Sequence, residues 1–129
     1  MNILLDTHTL LWFIEGDSKL PVYSIKLIKN INNKCFISVA SIWEIAINFS
    51  LGKLDLIGGL DNIITLMSRN KFELLPISFE HIQKLIKLDY HHRDPFDRMI
   101  IAQSLVEKLP VITKDKIFSN YDINTIWIK

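Results

Sequence analysis

Short apolar runs separated by helical segments constrain this chain more than any other feature. Ile3-Leu4-Leu5, Cys35-Phe36-Ile37, Phe72–Pro76 and Pro110–Thr113 are too brief for helices and read as strands, with Asn124–Ile128 as a fifth. Between them the periodicity is helical. Thr7–Ile14 follows the first strand. Pro21 opens an amphipathic segment over Val22–Ile31, with Ile25, Ile28 and Ile31 apolar and Lys26 and Lys29 between them. Ser38 or Ser41 caps a helix running to about Ser50, and Gly52 marks its stop. A turn-rich piece over Gly52–Gly59 leads to a helix over Leu60–Arg69, and Ser78 caps another over Phe79–Leu88. Asp94 followed by Pro95 starts the last helix, where the donor that proline lacks has no partner to lose.

Strands alternating with helices across short connections predict an α/β fold, a short, mainly parallel sheet flanked by helices. A length of 129 residues suits one domain spanning the whole chain. Although 49% of residues are hydrophobic, charged residues or Asn interrupt every apolar run, so no membrane span is predicted. The N-terminus lacks a basic region and meets Asp6 too early for a signal peptide, which makes the cytoplasm the expected location. A single cysteine, Cys35, sits in an apolar run and excludes both an internal disulfide and a cysteine metal cluster. The formal net charge of +1 decides nothing about nucleic acid.

Ligands of open parallel sheets collect outside the carboxyl ends of the strands. Asp6 and Asp115 stand at two such ends, Glu44 lies early in the helix after the second strand, and Asp97 early in the helix before the Val111 strand. Asp94 is spent on capping, whereas Asp97, one turn in, has no capping duty. Four carboxylates converging on one rim would repel strongly unless cations neutralised them. An all-oxygen ligand set favours Mg²⁺ or Mn²⁺ over Zn²⁺, and such ions act on phosphates, so phosphodiester hydrolysis is the chemistry expected. Ordinary readings stand beside this one. Asp6 can cap the Thr7 helix, Glu44 can pair with a lysine, and Asp115 can cap Lys116–Ser119.

Five stretches carry a resemblance over nearly the whole chain: Leu5–Trp12, Ser38–Ile47, Leu51–Leu54, Asp94–Gln103 and Thr113–Asp115. Together they resemble a PIN-domain ribonuclease, specifically a VapC-type toxin of a toxin–antitoxin pair. By motif, the metal-holding acids of that family fall on Asp6, Glu44, Asp97 and Asp115. The resemblance implies a Mg²⁺- or Mn²⁺-dependent endoribonuclease that cleaves RNA, with transfer RNA a family-level candidate, and blocks translation. It further implies a cognate antitoxin that occludes the site, and a homodimer. One departure is Asn48, where the family often has a basic residue one turn after Glu44. Another is Ser104 in place of a more usual Ala.

Secondary positions surround the four acids. Asp94 could orient a metal-bound water as well as cap; His8 could reach a substrate phosphate or bond locally to a carboxylate. Arg98 could pair with the acids or with a phosphate, and the Thr113 hydroxyl could bind a metal water or simply extend the strand. His91, His92 and Arg93 form a small basic run that, with Lys114 and Lys116, would either hold RNA backbone or be a solvated loop. Trp12 and Trp43 follow apolar faces and read as core or antitoxin contacts more than as base-stacking surfaces. Two rival functions share the acidic rim: a phosphoacceptor signalling domain, which would leave Glu44 without a role, and a catalytically silent antitoxin-binding protein.

Overall fold

A computed structural model of the chain describes residues 1–128. Its centre is β1 (Asn2–Leu5), followed by α1 (Thr7–Glu15), α2 (Val22–Lys29), β2 (Lys34–Ser38), α3 (Val39–Ser50) and α4 (Gly59–Arg69). Next come β3 (Glu73–Leu75), α5 (Phe79–Leu85), α6 (Pro95–Glu107), β4 (Val111–Ile112), a 3₁₀ turn over Lys116–Asn120 and β5 (Thr125–Ile126). The five strands form one sheet in the order β3-β2-β1-β4-β5, and every pair is parallel. The α/β domain read from the alternation of strands and helices is therefore present, with an entirely parallel sheet.

Side-chain alternation along the strands divides the core in two. Ile3, Leu5, Ile37 and Ile112 face a cluster with Leu10, Ile28, Ile45, Ile63 and Met67, contributed by α1 to α4. Leu4 and Val111 face the other cluster, where Ile100, Ile101 and Ala102 of α6 pack with Leu88, Phe118 and Tyr121. With both faces covered, the strands read as continuous apolar runs. Cys35 is a buried free thiol in the first cluster.

Several expected boundaries move. The amphipathic segment after Pro21 stops at Lys29, because Asn30 turns extended, and the helix after Ser78 stops at Leu85 rather than Leu88. Ser38, and not Ser41, caps α3: its hydroxyl accepts the Ala40 N–H at 3.0 Å, while the buried Ser41 hydroxyl takes the Thr7 hydroxyl. Gly52, at φ 71, supplies the left-handed residue after α3. Ser104 has a use in this chain, since its hydroxyl donates to the Leu109 carbonyl at 2.6 Å and ties the end of α6 to the approach to β4. Among the described residues no helix is long and apolar enough to cross a membrane.

The strand order locates a crevice. From β1 the chain steps to β2 and β3 on one side, then returns to lay β4 and β5 on the other. The carboxyl ends of β1 and β4 thus flank the point where the winding reverses, the place in such sheets where ligands are received.

Candidate active site

Asp6 leaves the end of β1 and caps α1, its Oδ1 accepting the Thr9 N–H at 2.9 Å. The other oxygen, Oδ2, accepts the Thr113 hydroxyl at 2.6 Å. Asp115, just past β4, is built alike: Oδ1 accepts the Ile117 N–H at 2.9 Å and caps the 3₁₀ turn, leaving Oδ2 for a second contact. Capping and site-building are not alternatives here, because a carboxylate has two oxygens and several lone pairs, and the cap fixes where the second oxygen sits.

Asp94 caps α6 through Oδ1, which accepts the N–H groups of Phe96 and Asp97. Asp97 follows in the first turn and serves no cap. Burial pushes its carboxyl up to about 8, and the carboxylates of Asp94, Glu44, Asp6 and Asp115 add to the rise in that order. Burial likewise raises Glu44, with the Thr7 hydroxyl and His8 opposing and Asp94 and Asp6 adding. Asp6 is raised by burial against the lowering effect of its hydrogen bonds from Thr113 and Thr9. Asp94, Glu44, Asp6 and Asp115 therefore all lie close enough to Asp97 to oppose its ionisation.

His92 joins this group, and its role is not legible in the sequence. Rather than lying in a solvated basic loop, its ring is only 11% exposed, with Nε2 at 2.8 Å from Asp115 Oδ2 and 3.1 Å from Asp97 Oδ2. The ligand-capable atoms of His92, Asp97 and Asp115 all lie within 4.8 Å of one another. The only sequence signal is its place two residues before the helix cap, which brings it over the first turn of α6. His91 instead packs edge-on against Tyr121.

Arg98 is corrected by the structure. Buried at 5% exposure, its guanidinium donates to the carbonyls of Asp89, His92, Leu85 and Leu88 at 3.0–3.3 Å and stacks over Tyr90, so it fastens the loop before α6 rather than pairing with the acids. Thr113 uses its hydroxyl on Asp6 and, as an acceptor, on the Asp115 N–H at 3.0 Å. His8 is exposed and tilts against Trp12 with ring centroids 5.7 Å apart. Trp12 is partly buried against the first core cluster, and Trp43, expected as core or an antitoxin contact, is 59% exposed with its ring against Phe96. Asn48, half-buried one turn beyond Glu44, gives its carbonyl to the Lys53 N–H.

A cleft of about 430 Å³ opens over Asp6, Asp97 and Asp115, with His8, Trp12, Lys114 and Lys116 completing its lining and Glu44 and Asp94 outside it. Two features test whether a divalent cation fits this group. Glu44 Oε1 is buried with no hydrogen-bond partner among the described residues, a costly state for an oxygen that nothing else coordinates. The donors are almost all carboxylate oxygens, the set that suits hard ions. The residues present therefore fit such an ion.

A parallel α/β domain with a carboxylate cluster at the reversal point of its sheet is the class that fold and site define. The chain belongs to the PIN domain family, whose sequence profile matches residues 3–124. A comparison with curated protein sequences finds no match. Among solved structures it is similar to VapBC2 from Rickettsia felis bound to a fragment of promoter DNA, at 16% identity and a TM-score of 0.75, covering 98% of each chain. It is also similar to VapBC-1 from nontypeable Haemophilus influenzae, at 17% identity and a TM-score of 0.74, covering 98% of this chain and 97% of that one. VapBC-5 from Mycobacterium tuberculosis, a member of the VapBC family of toxin–antitoxin systems, matches at 21% identity and a TM-score of 0.62, covering 98% of each.

Proposed function

We propose that this chain is a divalent-metal-dependent endoribonuclease and the toxin of a cytoplasmic toxin–antitoxin pair, cleaving RNA, with transfer RNA as a candidate, and so arresting translation. The observation that carries the reading is Asp97, a partly buried carboxylate whose ionisation four other carboxylates oppose, together with a buried Glu44 oxygen that has no partner among the described residues. Such an array calls for a cation, and its oxygen donors suit Mg²⁺ or Mn²⁺. Asp6, Glu44, Asp97 and Asp115 would hold it. A divalent cation bound there supplies activated water and neutralises charge on a phosphodiester.

The chain's own residues do the positioning. Thr9 and Thr113 fix Asp6, the Ile117 N–H fixes Asp115, and the Asp94 cap sets the first turn from which Asp97 projects. Trp12, His8, Lys114 and Lys116 line the same cleft, offering an aromatic surface and cationic groups where the bases and phosphates of a single strand would lie. A phosphoacceptor domain would have no use for Glu44, and Lys114 reaches over the Trp12 ring at 5.9 Å.

Partners enter the reading from two sides. The similar solved structures include VapBC proteins, one of them a member of the VapBC family of toxin–antitoxin systems. On this chain, Phe79, Ile82 and Ile86 are exposed on and just after α5, and Trp43 of α3 and Tyr90 are exposed as well, apolar groups that suit contact with a cognate antitoxin or a second copy in a homodimer.

Incubating the wild type and Asp97→Asn with total cellular RNA, in Mg²⁺, in Mn²⁺ and in chelator, tests the activity. Discrete metal-dependent fragments from the wild type alone support the reading, and mapping their ends names the target. Intact RNA throughout, or equal cleavage by a folded Asp97→Asn, overturns it.

A further inference from the structure

His92 is held more elaborately than a loop residue needs to be. Its own N–H donates to the Tyr121 hydroxyl at 2.9 Å, and that hydroxyl in turn donates to the Asp89 carbonyl at 2.6 Å. Its carbonyl accepts from Arg98 at 3.2 Å. The imidazole stands edge-on to Phe118, a fully buried ring. Backbone and ring are thus fixed from α6 and from the segment after β4 together.

Those restraints aim one particular atom. Nδ1 accepts the Asp94 N–H at 3.2 Å, so in the neutral ring the proton resides on Nε2. Nε2–H therefore donates to Asp115 Oδ2 at 2.8 Å, and the same nitrogen stands 3.1 Å from Asp97 Oδ2. As a donor it cannot also offer Nε2 to a cation, which separates it from the ligands it touches.

We infer that His92 is a positioning residue of the acidic centre, whose Nε2–H holds the Asp97 and Asp115 carboxylates in register and which is itself fixed by Tyr121, Arg98 and Phe118. The inference rests on the proposed function, in which those carboxylates hold a divalent cation. It deepens that reading by assigning a use to the His92–Arg98–Tyr121 network. Asp97 lies on α6 and Asp115 beyond β4, so no shared element fixes their separation; His92 Nε2 lies between their Oδ2 atoms. Partners that orient metal-binding groups in this way typically change metal affinity or activity about 10–100-fold when removed.

The test is Mn²⁺ binding to the whole chain by titration calorimetry, alongside RNA cleavage and thermal unfolding. His92→Phe keeps an aromatic ring against Phe118 but has no donor, and is expected to bind Mn²⁺ about 10–100-fold more weakly. His92→Gln places an amide N–H near the former Nε2 and is expected to stay within about threefold of wild type, whereas the shorter His92→Asn should behave like His92→Phe. kcat should fall with affinity while KM for RNA holds. His81→Phe serves as the control: His81 also takes a backbone N–H on Nδ1 and meets a carboxylate, Glu107, through Nε2, but away from the acids. It should lower unfolding temperature and leave Mn²⁺ affinity alone. Should His92→Phe fail to fold, Tyr121→Phe, which removes the hydroxyl that takes the His92 N–H, is expected to weaken Mn²⁺ binding by a smaller factor. Wild-type affinity in the folded variants, or a Gln variant no better than Asn, overturns the inference. Absence of Mn²⁺ binding by wild type as well as by Asp97→Asn overturns the cation reading itself, and this inference with it.

Discussion

The Thr113 hydroxyl donates to Asp6 Oδ2 at 2.6 Å while accepting the Asp115 N–H at 3.0 Å, so a single buried oxygen links the two acids at the strand ends. Thr113→Val keeps the shape and removes the link. It should destabilise the chain by about 1–2 kcal/mol, raise the Asp6 carboxyl further, and weaken Mn²⁺ binding, while Thr113→Ser restores most of each. Urea unfolding at stepped pH checks the first two effects and calorimetry the third.

Asp97 gives the metal-free protein a defined pH response. Its folded carboxyl is pushed up to about 8 from an ordinary 3.8, so between those values the folded state keeps a proton that the unfolded chain has lost. Stability in chelator should therefore fall as pH rises from about 4 to 8, by at most about 1.4 kcal/mol per pH unit from this group, and then level off. Asp97→Asn should flatten that slope and make the metal-free protein more stable at pH 8. Divalent ions should remove the slope too, because they favour the ionised carboxylate. Denaturant melts at stepped pH measure all three.

Arg98 holds four carbonyls with one planar fork, a geometry an ammonium cannot match. Arg98→Lys is expected to cost about 2–4 kcal/mol, chiefly by leaving buried carbonyls unpaired. Because the His92 carbonyl is one of the four, Mn²⁺ affinity should fall as well. A melt unchanged within about 0.5 kcal/mol would contradict this account.

Lys114 and Lys116 line the cleft without touching the acids through any ion pair among the described residues. Lys114→Ala and Lys116→Ala should each raise KM for RNA and reduce the salt dependence of binding by about one unit of slope, leaving Mn²⁺ affinity unchanged. Binding isotherms at several salt concentrations give the slope.

The fold is readable from sequence because its signals are local. Apolar runs such as Ile3-Leu4-Leu5 and helix starts such as Asp94-Pro95 announce themselves within a few residues. Asp6, Glu44, Asp97 and Asp115 are likewise marked by their positions at strand ends and early in helices. His92 and Arg98 are not, because their meaning lies in which way a side chain turns. Arg98 adjoins Asp97 in sequence yet points into the loop carbonyls, and His92 sits in a run of basic residues yet faces inward. Helix ends at Lys29 and Leu85 escape sequence reading because apolar residues continue past the point where the backbone turns.

The reversal of the sheet between β1 and β4 also sets a timetable. Thr113 lies 107 residues beyond Asp6, so the hydroxyl that braces the first acid comes from the residue just past β4, made long after it. A chain made only as far as β3 carries Asp6 and Glu44, yet it has neither Asp97, nor Asp115, nor the brace on Asp6. The acidic centre is complete only when β4 is in place, so under the proposed function a chain that ends before that strand is expected to have no cation site and no activity on RNA.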